Sequence, residues 1–516
     1  MRFSLVLLSV ALLFSFCGAG DITLRQLQKM PRSIEKDYYI WRFLRQKSTK
    51  RDEARKAASQ IRRINGKLQK AYLKKTGKRL HKKRSHVASG LSPAEKKRLK
   101  IKKAVTRDIV SCGNPLERWH KLSPAMKIFV FNNAGREGRR RLDHIPSRRE
   151  WLELTMQRGI DTFIRKIRKE RLPKLSSALL YLPAKGNRIS FGLEFELALG
   201  AISKGKRAVA AAFFNDSIKK AKSREDADKA LFWSWLTSRK KSYLQRLGRS
   251  YEVNIYTLYA RDMLGRDYPG VIVPKLPERG KRSDELYDPI AWARLKRKIF
   301  SDAGGKELEK LASRYADSEA VGYYSYILAK ESRDKKQFFP MPYRDLLSRL
   351  SIERQAMLYA IARQESRFIP AAVSSSFAIG MMQLMPFLIE HIAKQRGERR
   401  DYDELFDPKV ALVYANQHLN YLYKWLHHPL FVAYAYNAGI GYTKRMLKRG
   451  RLFSDNGRYE PWLSLELLTN EQAREYGKKV LSNYVIYMNL LGKSTRMKDQ
   501  LSNLHLPHET DRFRKR

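Results

Sequence analysis

One carboxylate of this chain falls where burial could give it chemistry. Leu358, Ile361, Ala362 and Glu365 stand at i, i+3, i+4 and i+7. The Glu365 carboxyl therefore projects from the apolar stripe of its own helix. Removing a carboxyl from water disfavours its charged form and raises its pKa. An acid tuned in this way still holds its proton near neutral pH and can deliver it to a leaving group. The competing arrangement is a local ion pair with Arg363 or Arg367, which would keep Glu365 ionised.

The residues that follow add binding chemistry. IPAAVSSSFAIGMMQLMP carries Ser374, Gly380, Met382 and Gln383 within one short span ended by Pro386. Gly380 permits close backbone approach, and Ser374 and Gln383 offer hydroxyl and amide groups suited to sugar hydroxyl and N-acetyl groups. Further on, AYAYNAGIGYTKR sets Tyr436 and Asn437 immediately before Ala438-Gly439. An aromatic beside an amide at a helix break can pack against and orient a sugar ring. Each piece alone reads equally well as turn or core; their joint order is what points to a site. Asp407 before Pro408 reads as a helix N-cap with proline in the first turn. His427-His428 before Pro429 reads as a pair of exposed loop histidines. No HExxH or comparable ligand cluster is present, so neither a metal nor a cofactor is expected.

ES-x-F-x-P-x-A-V-S, then A-x-G-x-M-Q-x-M-P, then A-Y-N-A-G resembles the signature of the soluble lytic transglycosylases over about residues 340–492. The resemblance implies a lysozyme-like catalytic domain that cleaves peptidoglycan, with Glu365 as its single acid/base. Ser374, Met382, Gln383, Tyr436 and Asn437 would bind the glycan. Glu466, in a W-x-E-type stretch before REYGKKVLSNYVIY, would face the sugar or peptide end of the substrate. The reaction implied is non-hydrolytic cleavage of the β-1,4 bond from N-acetylmuramic acid to N-acetylglucosamine, leaving 1,6-anhydromuramyl ends. Phe377 stands where the family usually has Gly, Met381 replaces a common Leu, and His418 replaces a Tyr; these bear on substrate fit. The rival readings are a goose-type lysozyme-like hydrolase of the same bond and a non-enzymatic wall- or nucleic-acid-binding protein.

The elements that must hold these residues are helical. WRFLRQ, WLELTMQRGIDTFIRKIRK, LEFELALGAISKGKRAVAAAFF and ADKALFWSWL space apolar residues by three and four, which reads as stacked helix pairs without a fixed repeat period. The resemblance adds an N-terminal α-superhelical horseshoe or ring. A Pro- and Gly-rich break at 268–285 and FFPMPYRDLL mark boundaries. The expected division is a signal peptide at 1–20, an α-superhelical domain at 21–275, a helical linker domain at 276–340, a catalytic domain at 341–493 and a loose basic tail at 494–516.

Composition frames this reading. The 516 residues carry 105 Lys plus Arg against 51 Asp plus Glu, a net charge of +54. Such a charge calls for a polyanionic neighbour, and the densely basic stretch 47–103 contains a single aromatic for base stacking, Tyr72. Residues 1–20 pair Arg2 with an apolar run and a small-residue Gly18-Ala19-Gly20 site, the pattern of a secretory signal. Phe16 before Cys17 argues against lipidation there. Export to the periplasm, peptidoglycan strands as partner, no nucleic acid and no membrane span after signal removal follow as expectations. Cys112 is then the sole thiol, so packing must supply the stability.

Overall fold

The computed structural model describes residues 21–81, 92–278, 284–301, 305–449 and 452–514. The leader expected at 1–20 lies outside them, as do residues 82–91 of the basic stretch. Among the described residues the structure is helical, with β pairing confined to isolated bridges.

In the N-terminal run, after a short helix at Leu24–Lys29, α1 (Ile34–Arg45) is opened by Ser33 accepting from the Lys36 N–H. α2 (Gly66–Thr76) starts at the Asn65 cap. Further along, α3 (Phe191–Ser203), α4 (Arg207–Lys220), α5 (Arg224–Ser238) and α6 (Ile255–Met263) pack in succession. Their seam is aromatic: Phe195 meets Phe214 at 5.0 Å, and Phe214 stacks on Trp233 at 5.1 Å. α5 is apolar on more than one face because it is covered on both. Trp233 points into this seam, while Phe232 lies 4.0 Å from Trp462 of the C-terminal part.

The proline-rich break then crosses the chain, with the Ile272 N–H donating to Gln337 O and the Phe339 N–H to Ile272 O. Between these points α7 (Pro289–Ser301), α8 (Gly305–Ser313) and α9 (Val321–Glu331) enclose their own core around Trp292, Ile299, Leu311 and Tyr323. Ile369 and Ala371, from beyond the expected boundary at 340, complete that core.

The C-terminal part is built on α10 (Ile352–Glu365), α11 (Pro408–Tyr423), α12 (Pro429–Ala438), α13 (Trp462–Leu467) and α14 (Glu471–Leu490). α14 is buried along most of its length and packs on both α10 and α12. Gly477 makes the close approach to α12 possible, since a β-carbon there would sit 2.2 Å from the Tyr434 ring. Asp407 accepts from the Lys409 N–H with Pro408 in the first turn of α11, the capping arrangement read from the sequence.

Two expectations about this part need correction. The tail is not loose: α15 (Met497–Ser502) is anchored by the Lys498 N–H on Asp262 and the Met497 N–H on the Tyr268 hydroxyl. Phe513 stacks on Trp425 at 5.7 Å. His428 is likewise no exposed loop residue. Its Nδ1 accepts from the Leu430 N–H and its Nε2 donates to Gln500 O, and burial lowers its pKa to about 4. Capping α12 requires the neutral ring, with its proton on the Nε2 that holds the tail.

Both ends of the N-terminal run touch the C-terminal part. At the start, Arg42 forms a two-pronged pair with Asp401 and the Tyr38 hydroxyl donates to Asp403. At the far end, α5 and α6 grip α13 and α14. Among the described residues no helix is long and apolar enough to cross a membrane.

Candidate active site

Glu365 is the last residue of α10, a helix opened by Ser351 accepting from the Arg354 N–H. A carboxylate at a helix C-terminus meets unfavourable carbonyl dipoles. Beyond it Arg367 and Phe368 both take positive φ, 55° and 64°, and fold the chain sharply back. The Ser366 hydroxyl donates to Met381 O at 2.8 Å, tying the helix end to the loop that follows.

That loop is locked by its own polar groups. Ser374 Oγ accepts from the N–H groups of Ser376 and Ala378, at 3.2 and 2.9 Å. The Gln383 amide donates to Ala372 O and Gly380 O, at 3.0 and 2.8 Å. Gly380 has φ 76° and passes so near α11's leading turn that a β-carbon would lie 2.1 Å from Leu405 O. Only glycine satisfies both demands. Tyr436 reaches the loop from α12, its hydroxyl donating to Met382 O at 2.8 Å and its ring 5.5 Å from His418. Burial lowers the His418 pKa to about 4, so that ring is neutral in the physiological range.

The decisive contact reaches Glu365 from α14. The Tyr476 hydroxyl donates to Glu365 Oε1 at 2.8 Å. Burial pushes the Glu365 pKa up to about 7, against the lowering effect of that hydrogen bond. The residue is half-buried, and the surrounding protein desolvates its carboxyl. Neither arginine of the competing arrangement reaches it. Arg363 donates to Asn483, Phe338 O and Gln337, and Arg367 pairs with Asp334 at 2.8 Å.

Tyr436 lies close enough to Glu365 to feel its charge, and the loop carrying Ser374, Met382 and Gln383 is tied to Tyr436 at Met382 O and to Ser366 at Met381 O; Asn437 stands near the end of α12. Two expected residues stand differently. The Met382 side chain is fully buried, so its carbonyl, anchoring Tyr436, is what the site uses. Glu466 is not open to a substrate; its side chain is 2% exposed and pairs with Lys229 and Lys478. Burying a carboxylate demands cations, and one comes from α5, more than two hundred residues away.

Sequence reasoning missed Tyr476, whose only signal was its place in the tyrosine-bearing helix after Glu466. It also missed Glu252, whose pKa burial and the Glu225 and Asp228 charges push up to about 7. Glu252 lines a cavity with Gln364, Arg363 and Lys479, beside the α10 terminus but without Glu365 in its lining.

The comparisons with known proteins meet this geometry at the same segment. Residues 350–456 match the family described as the Transglycosylase SLT domain. The soluble lytic murein transglycosylase of Salmonella typhimurium LT2 is 30% identical over 161 residues, 30% of this chain and 24% of that protein. The Escherichia coli K12 protein of the same name is 30% identical over 160 residues. The chain thus matches about a quarter of the length of these curated relatives. In fold the similarity runs much further. The crystal structure of the 70 kDa soluble lytic transglycosylase of Escherichia coli aligns with a TM-score of 0.50 at 17% identity, covering 93% of this chain and 84% of that one. The fold is therefore the mainly α, superhelical architecture expected from the sequence. On the strength of these matches, residues 350–456 belong to the transglycosylase SLT domain family.

Proposed function

We propose that this chain is a peptidoglycan lytic transglycosylase with Glu365 as its one acid/base. The observation that carries the reading is the enclosed Glu365 carboxyl, poised near neutrality and held by a tyrosine with no arginine beside it. Among the described residues no second carboxylate contributes to its ionisation. A glycosidase working through two carboxylates needs them about 5–9.5 Å apart. A lone acid suits a reaction in which the sugar supplies its own nucleophile.

Protonated Glu365 donates to the bridging oxygen between N-acetylmuramic acid and N-acetylglucosamine, and the bond to the muramyl C1 breaks. The muramyl N-acetyl group stabilises the oxocarbenium-like centre. Glu365, now a carboxylate, removes the proton from the muramyl C6 hydroxyl, whose oxygen attacks C1 and closes the 1,6-anhydro ring. The proton count returns to its start and no water is consumed. Tyr436 and Asn437 would pack and orient the sugar, and Ser374 and the Gln383 carbonyl would meet its polar groups. Glu466 is assigned no contact with substrate.

The division at 275, 340 and 493 is proposed as the domain plan, with residues 494–514 packed back onto the rest. The leader pattern supports export to the periplasm, where anionic murein matches the +54 charge. Mass spectrometry of digested sacculi tests the reaction. Anhydromuramyl ends are expected; reducing ends with an added water would make the chain a hydrolase of the goose-type lysozyme kind.

A further inference from the structure

A buried charged cluster lies where the superhelical run meets α14. Lys229 of α5 places its Nζ 2.6 Å from Glu466 Oε2 and 4.3 Å from the centre of the Phe195 ring. Lys478 Nζ stands 3.3 Å from Glu466 and 2.9 Å from Glu475 Oε2. The Tyr256 hydroxyl of α6 donates to Glu466. Arg474 pairs with Glu475 at 2.9 Å and donates to Leu468 O. Glu466 and Lys478 retain only 2% and 5% of their side-chain exposure.

Burying such charges is expensive, and apolar side chains of equal volume would stabilise the junction as well or better. What charges provide in exchange is one fixed arrangement. Glu475 and Lys478 bracket Tyr476 on α14, and Tyr476 holds Glu365. Contacts therefore run from Lys229 through Glu466 and Lys478 to Glu475, and the backbone of α14 carries them one residue on to Tyr476, which holds the acid.

We propose that Lys229 is a positioning residue for the acid: by closing the Glu466–Lys478–Glu475 cluster it fixes the first turns of α14, and with them the Tyr476 hydroxyl on Glu365. The superhelical run then takes part in setting the proton affinity of the site as well as its placement. The inference rests on Glu365 being the acid. Glu365 faces Tyr476 from α14 and Tyr436 from α12; Lys229 faces Glu466 of α13 and Glu475, Lys478 and Arg474 of α14, while Tyr256 of α6 contacts Glu466 and Lys478. The Tyr476 hydrogen bond favours the charged carboxyl, so loosening it raises the pKa of Glu365 further.

The test is the pH profile of anhydro-product formation from soluble glycan strands by the full chain. For Lys229→Met, folded by circular dichroism, kcat is expected to fall about tenfold with KM little changed. Its alkaline limb is expected to move upward by about half a pH unit or more, and Lys229→Arg should restore both. Tyr476→Phe should move the limb the same way, and adding Lys229→Met to it should move the limb no further. If Lys229→Met does not fold, Lys229→Gln is read by the same criteria. A limb that stays at the wild-type position, or shifts that add in the double variant, overturns the proposal. A Glu365→Gln control that remains active sinks the acid assignment instead, so the two failures are distinguishable.

Discussion

Glu365 and Glu466 sit about a hundred residues apart in the C-terminal part, both enclosed by protein, and they end in opposite charge states. Burial pushes Glu365 up to about 7, and its hydrogen-bond partner is a neutral tyrosine. Burial acts on Glu466 too, but Lys229 and Lys478 overcome it and hold the carboxyl at about 2. Enclosure alone therefore does not make an acid; enclosure without a counter-charge does. The same helix, α14, serves both sites, offering a hydroxyl to one and an ammonium to the other.

The comparison can be broken at either carboxyl. The largest effect is expected at the unpaired one: Glu365→Gln should cut murein release about a thousandfold or more, with the circular dichroism spectrum unchanged. At the paired one the loss should fall on stability. Glu466→Ala leaves Lys229 and Lys478 buried without their main counter-charge, at a cost of about 3–5 kcal/mol in denaturant unfolding. An unaltered unfolding midpoint would mean that water reaches the cluster.

The charge-state contrast is sharpened by pH. The folded pKa of Glu365 lies above its ordinary value of 4.5. Protonation is thus favoured in the native chain, and stability is lost as pH rises from about 4.5 through 7. Glu365→Gln escapes that loss. It should be more stable than the wild type by about 1–3 kcal/mol at pH 8 and equal to it at pH 4, read from denaturant midpoints at both values. Gly477→Ala probes the shared helix, because its β-carbon would press on the Tyr434 ring. It should destabilise by about 1–3 kcal/mol and weaken both sites together.

What could be read from the sequence was what sequence spacing controls. The helical period put Glu365 on an apolar stripe, and the order of the motifs singled out the loop of Ser374 and Gln383 and the Tyr436 that anchors it. The Asp407 cap was equally local. The misses share one cause: the deciding partner lies far along the chain. Nothing near Glu466 announces Lys229, and nothing near His428 announces Gln500. Phe377 is the clearest instance. It keeps a φ of 60°, in the region glycine favours. Its ring packs on Tyr38 and Trp41 of α1, at 6.0 and 5.6 Å. The departure from glycine thus fills a contact with the superhelical run. Part of the basic stretch serves the same seam, with Asn65 and Lys67 donating to the carbonyls of Ser375 and Ser376.

The proton on Glu365 is the point on which the mechanism turns. Carbon-13 NMR of glutamate-labelled protein, assigned by difference from Glu365→Gln, follows that single carboxyl as pH is changed. A midpoint near 7 is the predicted result. A midpoint near the ordinary 4.5 would leave the site without a protonated donor at neutral pH and would contradict the account.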